Sequence, residues 1–351
     1  MTNKMKNYKI VLLSGDGIGP EISEVSKKIL SKLSEKYNFN IEINEELFGG
    51  IAYEKVNNPA PKNTLDKCKS SDAVLLACVG DSKYDNLERE LRPEYGLLKL
   101  RSELNLFANI RPVKIRKSLV DASSLKKEII ENVDLVVVRE LTGGIYFGEP
   151  RGIINNADEK RAFNTMAYKA SEIERITNVA IEIAKKRNNK ICSIDKANVL
   201  EVSQLWRQTV ENIINNKKIS LSHMYVDNAA MQLIRNPSQF DVILTNNIFG
   251  DILSDLAAML TGSIGMLPSA SLNNEGPGVF EPVHGSAPDI AGKNIANPIA
   301  MALSTSMLLK IGLNEQAAAE NLESAIDKVL FKGFRTSDLD DGKSEIIGCR
   351  E

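Results

Sequence analysis

The chain has almost no surplus of charge: 44 Lys and Arg stand against 46 Asp and Glu, a net of −2. No Lys/Arg block is long enough to read as a nucleic-acid arm, so bulk charge points to neither nucleic acid nor membrane as a partner. Cysteine is scarce. Cys68, Cys78, Cys192 and Cys349 form no C-x-x-C pair and no disulfide frame, which leaves free thiols acting as small core residues in a reducing compartment. Long apolar runs are missing too, and nothing approaches the roughly 20 residues needed to span a bilayer. The N-terminal KIVLL run is too short for a signal-peptide core and reads as a strand, so the expected location is cytoplasmic. Only two histidines occur. His223 reads as an ordinary strand residue, and His284 sits in a Gly/Pro-rich loop where it could cap or stack on a ligand. What remains is the composition of a globular protein, 43% hydrophobic and 26% charged, long enough to divide its core over two domains.

Strand and helix patterns alternate through most of the chain. KIVLLS (9–14) reads as a buried strand, and Ile22, Val25, Ile29, Leu30 and Leu33 mark one face of the helix after it. Pro20 and Glu21 suit that helix's first turn. Further strands are expected at 72–80, 134–140, 190–195, 221–227 and 241–245, with helices at about 171–187, 199–213, up to Leu233, and after Thr245. This order predicts an α/β fold with a largely parallel sheet. Two segments break the rhythm: 140–168, rich in Gly and Asn, expected as an exposed arm or hairpin, and 266–298, rich in Gly, Pro, Ser and Asn. Long irregular segments inside a compact domain are usually functional.

Asp251 and Asp255 fall one turn apart on the last of these helices, in TNNIFGDILSDLAAML. Like charges four apart on a helix repel by roughly 0.2–0.5 kcal/mol. A divalent cation would convert that repulsion into attraction, and a solvated helix face is the equal alternative, so the pair alone is ambiguous. Arg139, Lys196, Asp227 and Asp251 each lie at or just beyond the carboxyl end of an expected strand. In open α/β sheets ligands bind at that edge. Arg101 and Arg111 could join Arg139 in holding a dicarboxylic acid, because the guanidinium fork pairs with carboxylates in two-point fashion. Gly15, Gly17 and Gly19 do not make a dinucleotide fingerprint, since Pro20 follows where G-x-G-x-x-G continues. They read as a tight turn.

The phrases SGDGIGPEI, ELRPEYGLLKLR, NLFANIRP, VVRELTGGIYFGEPRG, SIDKANVLE, MYVDNAAMQL, NIFGDILSDLA and FEPVHGSAPDIAGKNIANP, in that order, resemble the isocitrate/isopropylmalate dehydrogenase family of β-hydroxyacid oxidative decarboxylases. The likeness runs from about Lys9 to Arg335. It implies an α/β, non-Rossmann fold of two domains sharing a mixed sheet: 1–106 with 262–351, and 107–261, which carries the dimer interface and an arm at about 150–168. It further implies a homodimer with active sites shared between subunits, NAD as cofactor, and Mg²⁺ or Mn²⁺.

By motif, the resemblance assigns Asp251 and Asp255 to a metal site completed by Asp227 of a partner subunit, with Asp227 also near the substrate. Lys196, from the same partner, would be the base and Tyr146 the acid. Arg101, Arg111 and Arg139 would bind malate carboxylates. Glu94, Leu97 and Leu98 would set substrate identity, two leucines offering an apolar wall to an isopropyl group where isocitrate enzymes use serine and asparagine. His284, Gly285, Ser286, Ala287, Asp289, Ile290 and Asn297 would hold the cofactor, with Asp289 favouring a ribose 2′-hydroxyl over a 2′-phosphate. The implied reaction is oxidation and decarboxylation of (2R,3S)-3-isopropylmalate in leucine biosynthesis. Isocitrate, homoisocitrate or tartrate as substrate, or a non-catalytic subunit, are the alternatives. Two departures stand out. Asn246 replaces a frequent glycine, and the chain ends at Glu351 where the family usually continues into a helix.

Overall fold

The computed structural model describes residues 5–155 and 159–351. They fall into two units, one of Met1–Leu106, Arg116–Ser124 and Thr261–Glu351, the other of Phe107–Ile115 and Leu125–Leu260. In the first unit the strands run in the order Phe39–Glu45, Lys6–Gly15, Ala73–Cys78, Gly278–Pro282, Pro268–Leu272. The first four are parallel and the last is antiparallel to its neighbour. Every residue of Ala73–Cys78 is buried, as expected for a strand covered on both faces. Helix Gly19–Tyr37 has Pro20 in its first turn and ends on Asn38 at φ 58°. Ile22, Leu30 and Leu33 of its apolar face are buried, whereas Val25 and Ile29 are only half-buried.

Residues 266–298, expected to be irregular, contain the antiparallel pair Pro268–Leu272 and Gly278–Pro282. The strand signal was hidden because Ser269, Ala270 and Ser271 are small, yet all three are buried. They lie beneath helix Ile299–Met307, whose residues from Ala300 onward are all buried. Small side chains let that helix, buried on nearly every face, approach the sheet closely.

The second unit orders its strands Ala108–Lys114, Asp134–Glu140, Val242–Thr245, Lys190–Asp195, Ser220–Tyr225. The last four are mutually parallel, while Ala108–Lys114 runs antiparallel to Asp134–Glu140. Within each unit the strands are thus largely parallel, as expected, with one antiparallel pairing that makes the arrangement mixed. Helices Ala170–Lys185 and Glu201–Ile214 pack on each other. Trp206 is buried, donates from Nε1 to Ser193 Oγ at 3.1 Å, and takes the edge of Tyr168 at 5.6 Å. The expected arm is an exposed antiparallel hairpin, Gly152–Asn155 with Lys160–Phe163. Its residues 156–158 lie outside the described residues. All four cysteines are free and buried, and burial pushes the Cys68, Cys78 and Cys349 thiols up to about 12. Among the described residues no helix is long and apolar enough to cross a membrane.

Asn246 has a physical explanation. Its side chain accepts the Phe249 amide at 2.9 Å and caps helix Asn247–Ala258, which carries both aspartates. Replacing a capping asparagine by alanine costs about 1 kcal/mol, and by glycine only a few tenths. Asn246→Ala should therefore lower urea stability by about 1 kcal/mol while Asn246→Gly stays within a few tenths.

Candidate active site

The four parallel strands of the second unit end at one edge, and the charged residues collect there. Arg139 is the penultimate residue of Asp134–Glu140, and Lys196 directly follows Lys190–Asp195. Asp227 lies in the first turn of helix Val226–Arg235, just after Ser220–Tyr225, and Asp251 in helix Asn247–Ala258, after Val242–Thr245. Arg111 arrives on the antiparallel strand, paired with Val137.

Asp251 is the centre of the cluster. Its Oδ1 accepts Arg139 Nη1 at 2.6 Å and lies 3.7 Å from Arg111 Nη2; its Oδ2 accepts the Tyr146 hydroxyl at 2.9 Å. Arg111 also reaches Asp255 Oδ1 at 3.3 Å, Ser254 Oγ at 2.6 Å and Asn109 Oδ1 at 2.7 Å. Both arginines are buried, where an unpaired charge is strongly unfavourable. Burial raises the Tyr146 phenol above the ordinary tyrosine range, and the charge of Asp251 adds to the effect. A tyrosine is already protonated at neutral pH, and this shift holds Tyr146 in that state more firmly. Burial likewise raises the Asp255 carboxyl, with Arg111 opposing and Asp251 reinforcing the shift.

The helix carries two features that sequence reasoning missed. Asn247 accepts Arg139 Nε and Nη2 at 3.2 and 2.9 Å, and donates to the carbonyls of Leu141 and Gly143. It thereby fixes both Arg139 and the turn that leads to Tyr146. Gly250 lies against Arg139, where an added Cβ would come within 2.6 Å of Cγ. A glycine inside a helical pattern was the available signal for such a close approach.

Lys196 and Asp227 form a separate pair, with Nζ donating to Oδ1 at 2.8 Å. That hydrogen bond holds the Asp227 carboxyl below the usual range. Among the described residues no three acidic, histidine or cysteine side chains gather as a metal site. The chain thus brings Asp251 and Asp255 together and does not add Asp227 to them. Two hard carboxylates, one with its charge resisted by burial and by its neighbour, fit a divalent cation, provided other oxygens complete its shell.

The first unit holds the remaining candidates. Arg101 is largely buried and pairs with Glu281 at 3.1 Å, although its Nε has no partner. On the same helix, Pro93–Glu103, Glu94 is exposed, Leu97 packs partly on the core around Leu13, Phe48 and Leu100, and Leu98 is half-buried. A cavity of about 430 Å³ is lined by Ile18, His284, Gly285, Ala287, Ile290, Asn297 and others. That volume is in the range of small-molecule sites. Ser286 supports it from behind, donating to Gly80 O and accepting the Ile18 amide at its carbonyl. Asp289 is exposed and outside the lining. His284 donates from Nδ1 to Gly285 O at 2.8 Å and leaves Nε2 buried without a partner, as an acceptor. The glycine turn is tight, as read: Gly15 and Gly17 have φ of 64° and 54°, and a Cβ on Gly17 would strike Ser286 O. Ile18 and Asp338 of the lining carried no sequence signal. Asp338 accepts Asn297 Nδ2 at 2.9 Å and the Ser263 and Thr336 hydroxyls.

An arginine-walled carboxylate pair at the carboxyl edge of parallel strands defines an α/β enzyme for small anionic acids. More narrowly, the chain belongs to the isocitrate/isopropylmalate dehydrogenase family, whose model matches residues 9–351. It is 78% identical over 348 residues to the 3-isopropylmalate dehydrogenase of Prochlorococcus marinus (strain MIT 9312), covering 99% of this chain and 98% of that one. The enzyme of the same description from Synechococcus sp. (strain CC9605) is 59% identical over 347 residues, covering 99% and 97%. Among solved structures, isocitrate dehydrogenase from Methylococcus capsulatus superposes with a TM-score of 0.87 at 32% identity, covering 98% of this chain and 96% of that one.

The only two histidines give a stability test. Burial lowers the pKa of both His223 and His284, the Arg207 charge adding to it at His223. The unfolded chain then binds protons that the folded chain refuses, so stability rises with pH through this window and is lost below about 6.5. Thermal unfolding should show Tm falling between pH 7.5 and 5.5, with a shallower fall in His223→Gln.

Proposed function

We propose that this chain catalyses the NAD-dependent oxidative decarboxylation of (2R,3S)-3-isopropylmalate to 4-methyl-2-oxopentanoate and CO₂, a step of leucine biosynthesis. The observation that carries the reading is 78% identity, over nearly the whole chain, to a 3-isopropylmalate dehydrogenase. Asp251, Asp255, Arg111, Arg139 and Tyr146 lie in one bonded cluster, which supports it.

Charge balance suggests how the cluster works. Arg111 and Arg139 neutralise Asp251 and Asp255 one for one. A divalent cation and a dicarboxylate arriving together keep the site neutral, whereas either alone leaves it charged and poorly solvated. Mg²⁺ or Mn²⁺ would be held by Asp251 and Asp255, with Asp227 from a second copy completing the set. When bound, the cation supplies Lewis-acid stabilisation to the substrate's hydroxyl and carboxylate oxygens, and NAD⁺ accepts the hydride.

The protein's own groups do the rest. Arg111, Arg139 and Arg101 bind and orient the malate carboxylates. Lys196 takes the hydroxyl proton, directly or through water or the bonded Asp227. Tyr146, held protonated, returns a proton to the enolate carbon. Leu97 and Leu98 receive the isopropyl group, worth roughly 1.5–3 kcal/mol, while Glu94 borders it. His284, Gly285, Ala287, Ile290 and Asn297 hold the cofactor in the cavity, with Ser286 behind them. Asp289 selects the ribose 2′-hydroxyl.

A homodimer fits the exposed apolar residues Met231 and Ile234 on helix Val226–Arg235, and Ile252 and Met259 on or just past the helix packed against it. Four such side chains on neighbouring helices are more than a monomer usually leaves to water.

Steady-state rates with purified protein, Mg²⁺ or Mn²⁺ and a panel of acids test the reading. Turnover of 3-isopropylmalate with NAD⁺ should exceed that of isocitrate by at least about 100-fold, because a third carboxylate would face leucines. NAD⁺ should also outperform NADP⁺. Faster turnover of isocitrate, homoisocitrate or tartrate would replace the substrate assignment.

A further inference from the structure

Lys196 follows directly on Asp195, whose carboxylate is buried at 1% exposure. Among the described residues that carboxylate has one charged hydrogen-bond partner, with His223 Nδ1 farther off at 3.9 Å from Oδ2. Arg207, on helix Glu201–Ile214, donates from Nε to Asp195 Oδ2 and from Nη2 to Oδ1, both at 2.9 Å. Oδ1 also accepts the amide of Ala197 at 2.9 Å, which closes the turn around Lys196. On its other side the Arg207 guanidinium lies 5.1 Å from the ring centre of Tyr225, and Lys196 Nζ lies 5.9 Å from the same ring. Tyr225 is the N-cap of the helix that bears Asp227. One side chain therefore touches the backing of both members of the Lys196–Asp227 pair.

We propose that Arg207 is a positioning residue for Lys196. Its planar fork locks the Asp195–Ala197 turn, and its stacking on Tyr225 sets the second wall against which the Lys196 side chain lies. The inference rests on the reading of Lys196 as the base. A two-point fork fixes orientation as well as charge, which a lysine ammonium cannot do. Stacking of a cation on a tyrosine adds a modest attraction in the same direction. A purely structural role would need only the neutralisation of Asp195, and any cation at position 207 would supply that.

The experiment compares Arg207→Lys with wild type, each also in the Lys196→Ala background. Arg207→Lys keeps the buried carboxylate neutralised and so should fold, with Tm within a few degrees of wild type. We expect its kcat for the acid to fall tenfold or more with both KM values within twofold. In the Lys196→Ala background the same change should have no further effect on the residual rate. Should Arg207→Lys not fold, Asp195→Asn serves instead, since it keeps an oxygen for the Ala197 amide and removes the buried carboxylate charge, while Arg207, 27% exposed, can turn to water; the same kcat loss is expected. A kcat within twofold of wild type, or losses that multiply in the Lys196→Ala background, would overturn the positioning role alone. Full turnover by Lys196→Ala by itself would overturn the base assignment and this inference with it.

Discussion

Two buried guanidiniums facing two carboxylates set the terms for the rest of the second unit. Arg139 is 2% exposed and Arg111 6%. Charges so far from water persist only when paired and fully hydrogen-bonded, and removing one partner of such a pair commonly costs 3–5 kcal/mol. Asp251 meets that need for both arginines, with Asp255, Asn109, Ser254 and Asn247 taking the remaining donors. The arrangement forces particular residues elsewhere. Gly250 must lack a Cβ for Arg139 to pass. Asn246 must cap the helix so that both aspartates project from a fixed first two and a half turns.

The same pairing links fold to chemistry. A site that is neutral when empty has reason to accept a cation and a dianion only as a pair, and this is the charge pattern of a metal-dependent hydroxyacid dehydrogenase. Tyr146 is drawn into the cluster through Asp251, and burial reinforces its protonated state. The Lys196–Asp227 pair sits at the ends of neighbouring parallel strands, held by its own scaffold of Asp195, Arg207 and Tyr225. The proposed proton acceptor and proton donor, Lys196 and Tyr146, are thus held by separate supports.

Much of this was legible in the sequence where periodicity and charge placement agreed. The strands at 134–140 and 190–195 were read with their observed bounds, and the gathering of Arg139, Lys196, Asp227 and Asp251 at strand ends followed from the alternating pattern alone. Other parts were hidden for physical reasons. Strand Ala108–Lys114 contains Asn109, Arg111 and Pro112, and its buried polar residues serve the site rather than an apolar core. Strand Pro268–Leu272 is built of small residues beneath a buried helix. Asn247 and Asp338 act through contacts with residues distant in sequence, which no local pattern encodes, whereas Gly250 left one signal, a glycine inside a helical pattern.

In the proposed site Asp251 and Asp255 hold a divalent cation whose charge the dicarboxylate balances. Mn²⁺ binding followed by electron paramagnetic resonance, with and without 3-isopropylmalate, tests it most directly. The acid should tighten Mn²⁺ binding by at least about tenfold, a coupling of about 1.4 kcal/mol, and Asp255→Asn should abolish the gain. Equal Mn²⁺ affinity with and without the acid, or an unchanged gain in Asp255→Asn, would contradict it.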